Sequence, residues 1–324
     1  MIRAGIAGAS GFAGGELLRL LLAHPAVKIA WVSSERLAGQ PVSVSHADLA
    51  GETELHFSAS PDSDADVVFL CLAHGASAEV LERLKLPRET TIIDLSQDHR
   101  LAGASGWIYG LPELNRERIR GASCGGARIA NPGCFATALQ IGILPVAAAG
   151  LLPDELHSSA VTGSTGAGAG MSDTLHFSWR ASNMQVYKPF DHQHLPEVRQ
   201  SLVQLQPGFT GAHRFIPYRG PFTRGIIAST YFRWDGDADS AKKLYADFYS
   251  GHPFVSIADE QPDLKQVVNT NRCIVHLSYA DGQVLAVSVL DNLLKGAAGQ
   301  AVQNMNLLCG RDESEGLRLK ASAY

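Results

Sequence analysis

Apolar residues in the first third of the chain fall into short runs separated by segments with helical spacing. Residues 2–7 make an apolar run of strand length, residues 8–14 are glycine-rich, and residues 15–23 set leucines on one helical face. Pro25 closes that helix, and residues 28–33 read as a second strand. Two further runs, 66–72 and 91–95, end in Ala73-His74-Gly75 and in Ser96. Residues 134–149 are apolar and helix-forming apart from Thr137, Gln140, Gly142 and Pro145. The rhythm then changes. Segments 158–164, 224–234, 273–280 and 283–291 alternate, are partly β-branched and lack regular intervening helices, which predicts a mixed or antiparallel sheet. Residues 296–308 form a final helix.

The opening strand, glycine loop, helix and second strand predict one half of a dinucleotide-binding domain. Gly8 and Gly11 would let backbone approach a pyrophosphate whose charge meets the helix N-terminus. A tight turn with close helix packing is the alternative. Ser10, Phe12 and Ala13 complete the loop expected to hold the cofactor. An NAD site usually carries Asp or Glu at the end of the second strand for the ribose 2′-hydroxyl. Here Ser33, Ser34 and Arg36 suit a 2′-phosphate and favour NADP, against the one carboxylate of Glu35. Ala73 and Ser96, at later strand ends, are expected along the same crevice. His74, before a glycine, is expected to shape its loop.

At 324 residues the chain suggests two domains, and 45% hydrophobic with 18% charged content suits an ordinary globular core. A net charge of −5 gives no support for a nucleic-acid or membrane-surface partner. No apolar run reaches transmembrane length, and Met1-Ile2-Arg3 leads into a strand rather than a signal peptide, so a cytoplasmic location is expected. Five scattered cysteines without a CxxC pair read as free thiols. Cys71, Cys273 and Cys309 sit among apolar neighbours and read as core, and Cys124 beside Gly125-Gly126 reads as loop.

Cys134 differs from the others. Asn131-Pro132-Gly133 turns the chain immediately before it, placing the thiol at a helix N-terminus, where the backbone dipole and amide donors favour thiolate. A cysteine nucleophile needs a proton carrier, and Asp191-His192-Gln193-His194-Leu195-Pro196-Glu197 offers two imidazoles, two carboxylates and a proline expected to start a helix at Val198. A solvated helix start with incidental histidines is the plain alternative. Zinc held by Cys134, His192 and His194 is a further one, disfavoured because a metal-bound thiolate could not attack freely. No metal is expected. Arg219 and Arg224 could hold a carboxylate or phosphate by forked hydrogen bonds.

Several motifs together resemble the N-acetyl-γ-glutamyl-phosphate reductase family, relatives of aspartate-semialdehyde dehydrogenase. They are GASGFAGGEL (8–17), DLSQDHRL (94–101), YGLPEL (109–114), ANPGCFATA (130–138), HQHLPE (192–197), TRGI (223–226) and DNLLKGAAGQAVQNMN (291–306). The resemblance spans nearly the whole chain. It implies an α/β Rossmann NADP domain from residues 1–133 and 295–324, and an α+β catalytic and dimerisation domain from 134–294 with a mixed, largely antiparallel sheet. It further implies Cys134 as nucleophile and a histidine of HQH as acid/base, with His194 favoured over His192. Asn292 then joins the cofactor residues, and Asn131, Ser164, Tyr187, Arg219 and Arg224 are expected at the substrate.

The implied reaction is NADPH-dependent reduction of a small-molecule acyl phosphate through a cysteine thioester, in a homodimer or homotetramer. The chain departs from the family pattern at His99, Phe135-Ala136, Ala169 and Tyr218-Arg219. The last two departures leave the acyl group open between N-acetyl, N-succinyl and carrier-bound aminoadipyl phosphates. A non-catalytic NADP-binding sensor is the reading from another class. A cysteine hydrolase gives no reason for the N-terminal dinucleotide loop.

Overall fold

The computed structural model describes residues 1–61, 64–101 and 106–323. The chain divides into two compact units, one from Met1–Pro132 with Ala297–Arg318, the other from Gly133–Gly296 with the residues after Arg318. Among the described residues no helix is long and apolar enough to cross a membrane.

In the first unit β1 (Ile2–Ala7), α1 (Phe12–Leu22) and β2 (Val27–Ser33) are followed by β3 (Val67–Leu70), α2 (Ser77–Leu84) and β4 (Thr91–Asp94). Next come β5 (Ile108–Tyr109), α3 (Pro112–Ala122) and β6 (Arg128–Ala130). The six strands pair in the order β2-β1-β3-β4-β6-β5, all parallel. A parallel sheet covered on both faces asks for continuous apolar strands, and β3 and β4 are buried at every position. Helix α1 begins at Phe12, ahead of the expected residue 15, because the turn needs only residues 8–11. Gly8 makes that turn with φ +75°, and a Cβ there would stand 2.5 Å from the Cys71 carbonyl oxygen.

The C-terminal helix (Ala298–Leu308) belongs to this unit and packs on α1 and α3. It is buried throughout although it carries Gln300, Gln303, Asn304 and Asn306. Burial of amides needs partners. Asn304 Nδ2 donates to the Gly110 carbonyl at 2.8 Å, Gln303 to Glu313 at 2.9 Å, and Asn306 to the Glu315 carbonyl at 2.9 Å.

In the second unit α4 (Cys134–Ala148) leads to β7 (Glu155–Thr162), a single turn α5 (Phe177–Arg180) and β8 (Gln185–Val186). Then follow α6 (Leu195–Leu205), β9 (Ala212–Arg219), β10 (Ile226–Arg233), α7 (Ala238–Tyr249) and β11 (Val255–Ala258). The hairpin of β12 (Cys273–Ala280) and β13 (Gln283–Leu290) completes a sheet ordered β11-β12-β13-β10-β7-β9-β8. Pairs β11–β12 and β7–β9 are parallel and the rest antiparallel, so the sheet is mixed and largely antiparallel.

The expectation of no regular helices between these strands is corrected by α6 and α7. The apolar stripe of α7 is only Ala241, Tyr245 and Tyr249 among charged residues, too sparse for periodicity to announce.

Helix α4 is buried from Phe135 to Ala147 and packs on β10, β13 and α6. Pro145 lies inside it and supplies no N–H for the carbonyl four residues back, that of Ile141. Tyr249 of α7 fills the gap, its hydroxyl donating to the Ile141 carbonyl at 2.5 Å, while Tyr245 donates to Gly142 at 2.6 Å. Tyr249→Phe leaves that carbonyl buried without its phenol donor. The variant should lose about 1–3 kcal/mol of stability, read as a lower urea midpoint with unchanged slope.

Candidate active site

Helix α4 starts at Cys134 with Gly133 as its N-cap (φ −70°, ψ 153°), and no side chain caps it. Amides of a first helical turn have no intrahelical acceptor, so this end presents donors and the positive end of the dipole beside the sulfur. Cys134 is partly buried against the core of the unit. Two glycines make room around it. A Cβ at Gly133 would meet His194 Nε2 at 2.3 Å, and one at Gly296 would meet Cys134 Cβ at 2.8 Å. The His194 imidazole therefore lies directly on the backbone that precedes the nucleophile.

Glu197, the third residue of α6, holds this arrangement together. Its Oε2 accepts from the Gly133 amide at 3.0 Å, and its Oε1 lies 3.9 Å from His194 Nε2. The carboxylate is 2% exposed, so its charge acts on the imidazole and the turn with little screening.

His192 and His194 occupy a turn closed by the Leu195 amide on the His192 carbonyl at 2.9 Å. Their rings stand 4.6 Å apart at 74°. His192 Nδ1 accepts from the His194 amide at 3.2 Å, which leaves its proton on Nε2. Phe135, Tyr187 and Phe215 surround the His192 ring. Burial, reinforced by Lys188 and Arg219, pulls His192 down to about 4, so it is neutral near pH 7. Among the described residues no group of three or more His, Cys, Asp or Glu is placed to hold a metal ion.

Arg219 lies over the Tyr187 ring, 4.7 Å from its centre. The Tyr187 phenol is pushed up by burial and by the neighbouring Cys134, with Arg219 opposing. Among the described residues the buried Arg219 Nε has no hydrogen-bond partner, while the guanidinium also interacts with the Tyr187 phenol. Arg224 is different. It pairs with Asp291, Nε at 3.1 Å and Nη2 at 2.9 Å, and Asp291 also accepts the Asn269 and Leu293 amides. Asn292 spends its amide on Gly225 N (2.7 Å) and Thr165 Oγ1 (3.0 Å). Both fix the loop that carries Gly296. Ser164 begins the turn after β7, its amide donating to the Phe222 carbonyl at 2.9 Å.

In the first unit the cofactor candidates gather at the carboxyl edge of the sheet. Ser10 and Ser34 hydroxyls are 3.1 Å apart, and the Ala9 amide donates to the Ser33 carbonyl at 2.9 Å, joining the glycine loop to the end of β2. No side chain caps α1, whose N-cap is Gly11 and whose first residue, Phe12, is exposed, with Ala13 next. A turn with glycine at both ends before a helix whose N-cap is glycine fits a dinucleotide pyrophosphate. Glu35 pairs with Arg83, which leaves Ser33, Ser34 and Arg36 as the other polar groups at the end of β2. Beyond Ala73, His74 Nδ1 accepts from Gln97 N at 3.2 Å, and Ser96 Oγ bonds both Ser77 and Asp94. Asn131 is fully buried, donating to the Ala297 carbonyl and accepting from Asn304, each at 3.1 Å.

Residues 3–122 match the family model described as semialdehyde dehydrogenase, NAD binding domain, and residues 134–292 match its dimerisation domain. The chain is 49% identical to an N-acetyl-gamma-glutamyl-phosphate reductase of Parabacteroides distasonis and 50% identical to one of Christiangramia forsetii, with both chains covered in full. This chain belongs to the N-acetyl-gamma-glutamyl-phosphate reductase family. Its fold is that of aspartate semialdehyde dehydrogenase II from Vibrio cholerae (TM-score 0.73, 16% identity, 95% of this chain and 98% of that one). The enzyme of Candida albicans, solved with NADP, is similar at TM-score 0.71 and 16% identity, over 95% and 98% of the two chains.

Of the residues singled out in the sequence, the second unit brings Cys134, His194, His192, Tyr187 and Arg219 together. It gives Arg224 and Asn292 to loop ties, as the first unit does Asn131. Glu197 and Gly133 were named in the sequence only within their motifs, and Gly296 only as the start of the last helix; their places beside His194 and Cys134 come from the structure. The signal for Glu197 was its place at the third position of a helix opened by Leu-Pro, where a carboxylate meets backbone amides. The depressed His192 has a further consequence. An unfolded histidine titrates near 6.5, so as pH falls the unfolded chain takes the proton first, and stability drops between about 6.5 and 4. Urea midpoints at falling pH should show this loss, and His192→Gln should reduce it. An imidazole resonance of His192 that titrates near 6.5 would contradict the assignment.

Proposed function

We propose that this chain reduces N-acetyl-γ-glutamyl phosphate with NADPH to N-acetylglutamate 5-semialdehyde and phosphate, as a step of arginine biosynthesis. One observation carries the reading: Cys134 heads a buried helix that no side chain caps, with His194 seated on the N-cap glycine. The two reductase relatives, near half identical over full length, support the acetylated substrate.

His194 takes the Cys134 proton, and the thiolate attacks the γ-carbonyl carbon. Donors of the first turn of α4 meet the oxyanion that forms. The carbon–oxygen bond to phosphate breaks, phosphate leaves, and the acyl group stays on Cys134 as a thioester. Bound NADPH supplies the hydride for the thioester carbonyl. His194 returns its proton to sulfur as the carbon–sulfur bond breaks and the aldehyde departs. Glu197 is a positioning residue, holding Gly133 and His194 in register. Neutral His192 offers Nε2–H as a donor. Arg219 takes an anionic group of the substrate, with Tyr187 and Ser164 beside the acyl chain.

Gly8, Ser10, Gly11, Phe12, Ala13, Ser33, Ser34, Arg36, Ala73 and Ser96 are the residues that would hold NADP. Asn131, Arg224 and Asn292 serve by fixing backbone. The family model of residues 134–292 is a dimerisation domain, which supports assembly as a homodimer or homotetramer. Light scattering on the purified chain should return two or four protomers and not one.

Cys134→Ser should abolish NADP⁺- and phosphate-dependent oxidation of N-acetylglutamate semialdehyde while NADPH binding persists. His194→Asn should lower kcat at least about 100-fold with little change in KM, the usual size of a lost acid/base group. The same assay with the N-succinyl semialdehyde tests the acyl group, and preference for it overturns the acetyl assignment.

A further inference from the structure

Two cysteines take no part in the chemistry above, and they are not isolated. Cys124 sits in the loop between α3 and β6, and Cys309 caps the end of the C-terminal helix. The sequence placed Cys309 in an apolar core and Cys124 alone in a loop. Instead, Cys124 is exposed, Cys309 is half-buried, and their side chains hydrogen-bond to one another. Both line a cavity of about 800 Å3, together with Arg3, Asp66, Thr90 and Gly125. That size admits a tripeptide-sized molecule. The residues on either side of Cys124 have left-handed backbone (Ser123 φ 55°, Gly125 φ 131°).

The two thiols are also chemically unequal. The hydrogen bond from Cys309 draws Cys124 down to about 7, with burial opposing, Thr91 assisting and Asp66 opposing. The same contact, with burial, pushes Cys309 up, while Arg311 pulls against it. A thiol that titrates near the ambient pH is the better attacking group.

We propose that Cys124 and Cys309 form a reversible redox-active dithiol whose disulfide staples together the two chain segments of the first unit. Cys124 lies in the segment Met1–Pro132 and Cys309 in Ala297–Arg318, separated in the chain by the whole second unit. The oxidant is a small disulfide of the glutathione class. Cys124 thiolate attacks one of its sulfurs, a mixed disulfide forms, and one small thiolate leaves and takes a proton from water. Cys309 then loses its proton to solvent, and its sulfur attacks that of Cys124, expelling the second small thiol. Two protein thiols are oxidised by two electrons, and one small disulfide is reduced to two thiols. Closing the pair asks the sulfurs to move from hydrogen-bonding distance to about 2 Å, a shift that the loop through Gly125 and Gly126 can supply.

The test equilibrates the full-length chain in glutathione buffers of rising oxidised fraction, then blocks free thiols and digests with trypsin. Peptide 121–128 should appear joined to peptide 296–311, two hydrogens lighter than their sum and separated again by dithiothreitol. Modification of Cys134 is read on its own peptide, 129–180, so the result does not depend on catalysis. The oxidised protein should melt at a higher temperature, because the link restricts the unfolded chain. Cys309→Ser should accumulate glutathione on Cys124, whereas Cys124→Ser should leave Cys309 unmodified. Peptides that stay unlinked at every ratio overturn the proposal. So does a link without a rise in melting temperature, or a Cys309→Ser variant with no gain of glutathione on Cys124.

Discussion

Because Pro145 withholds an N–H within the buried stretch of α4, the Ile141 carbonyl needs a donor from another element, and Tyr249 brings one. Tyr245 and Ser288 bond the neighbouring carbonyls of Gly142 and Ala138. These contacts tie α4 to α7 and β13. Cys134 is the first residue of that helix. The cost of a proline in a core helix is thereby offset by contacts that also hold the helix carrying the sulfur.

Two histidines separated by one residue meet different fates for physical reasons. His192 is enclosed by three aromatic rings with cations nearby, and its Nδ1 is taken by a backbone amide, so it stays neutral. His194 faces the N-cap glycine and a buried carboxylate instead. The glutamate that distinguishes them comes from the helix their own turn begins. One short motif thus supplies two imidazoles in different surroundings and the carboxylate that faces one of them.

The first unit is made of two stretches of chain, and their join is polar. Amides on the C-terminal helix bond the Gly110 carbonyl, Asn131, Glu313 and the Glu315 carbonyl. Buried amides specify one register, since any slip would strand several of them. The hydrogen-bonded pair Cys124 and Cys309 lies across the same join, at the sheet's opposite edge from the glycine loop.

Much of this was legible in the residues themselves. Apolar runs with a glycine loop gave the parallel sheet, since a strand buried on both faces needs an unbroken run. The turn before Cys134 gave the helix start, a matter of local backbone geometry. The helix α7 was harder to read, because two tyrosines carry most of its stripe and periodicity weighs them lightly. What the sequence could not contain was the pairing of distant groups. Whether Arg224 meets a substrate or Asp291, or Asn292 meets a cofactor or Gly225, depends on which loops the fold brings within 3 Å. The same holds for Cys309, apolar by its neighbours and yet beside Cys124. Local patterns fix elements because their forces act between near residues, whereas sites depend on contacts that only closure of the chain creates.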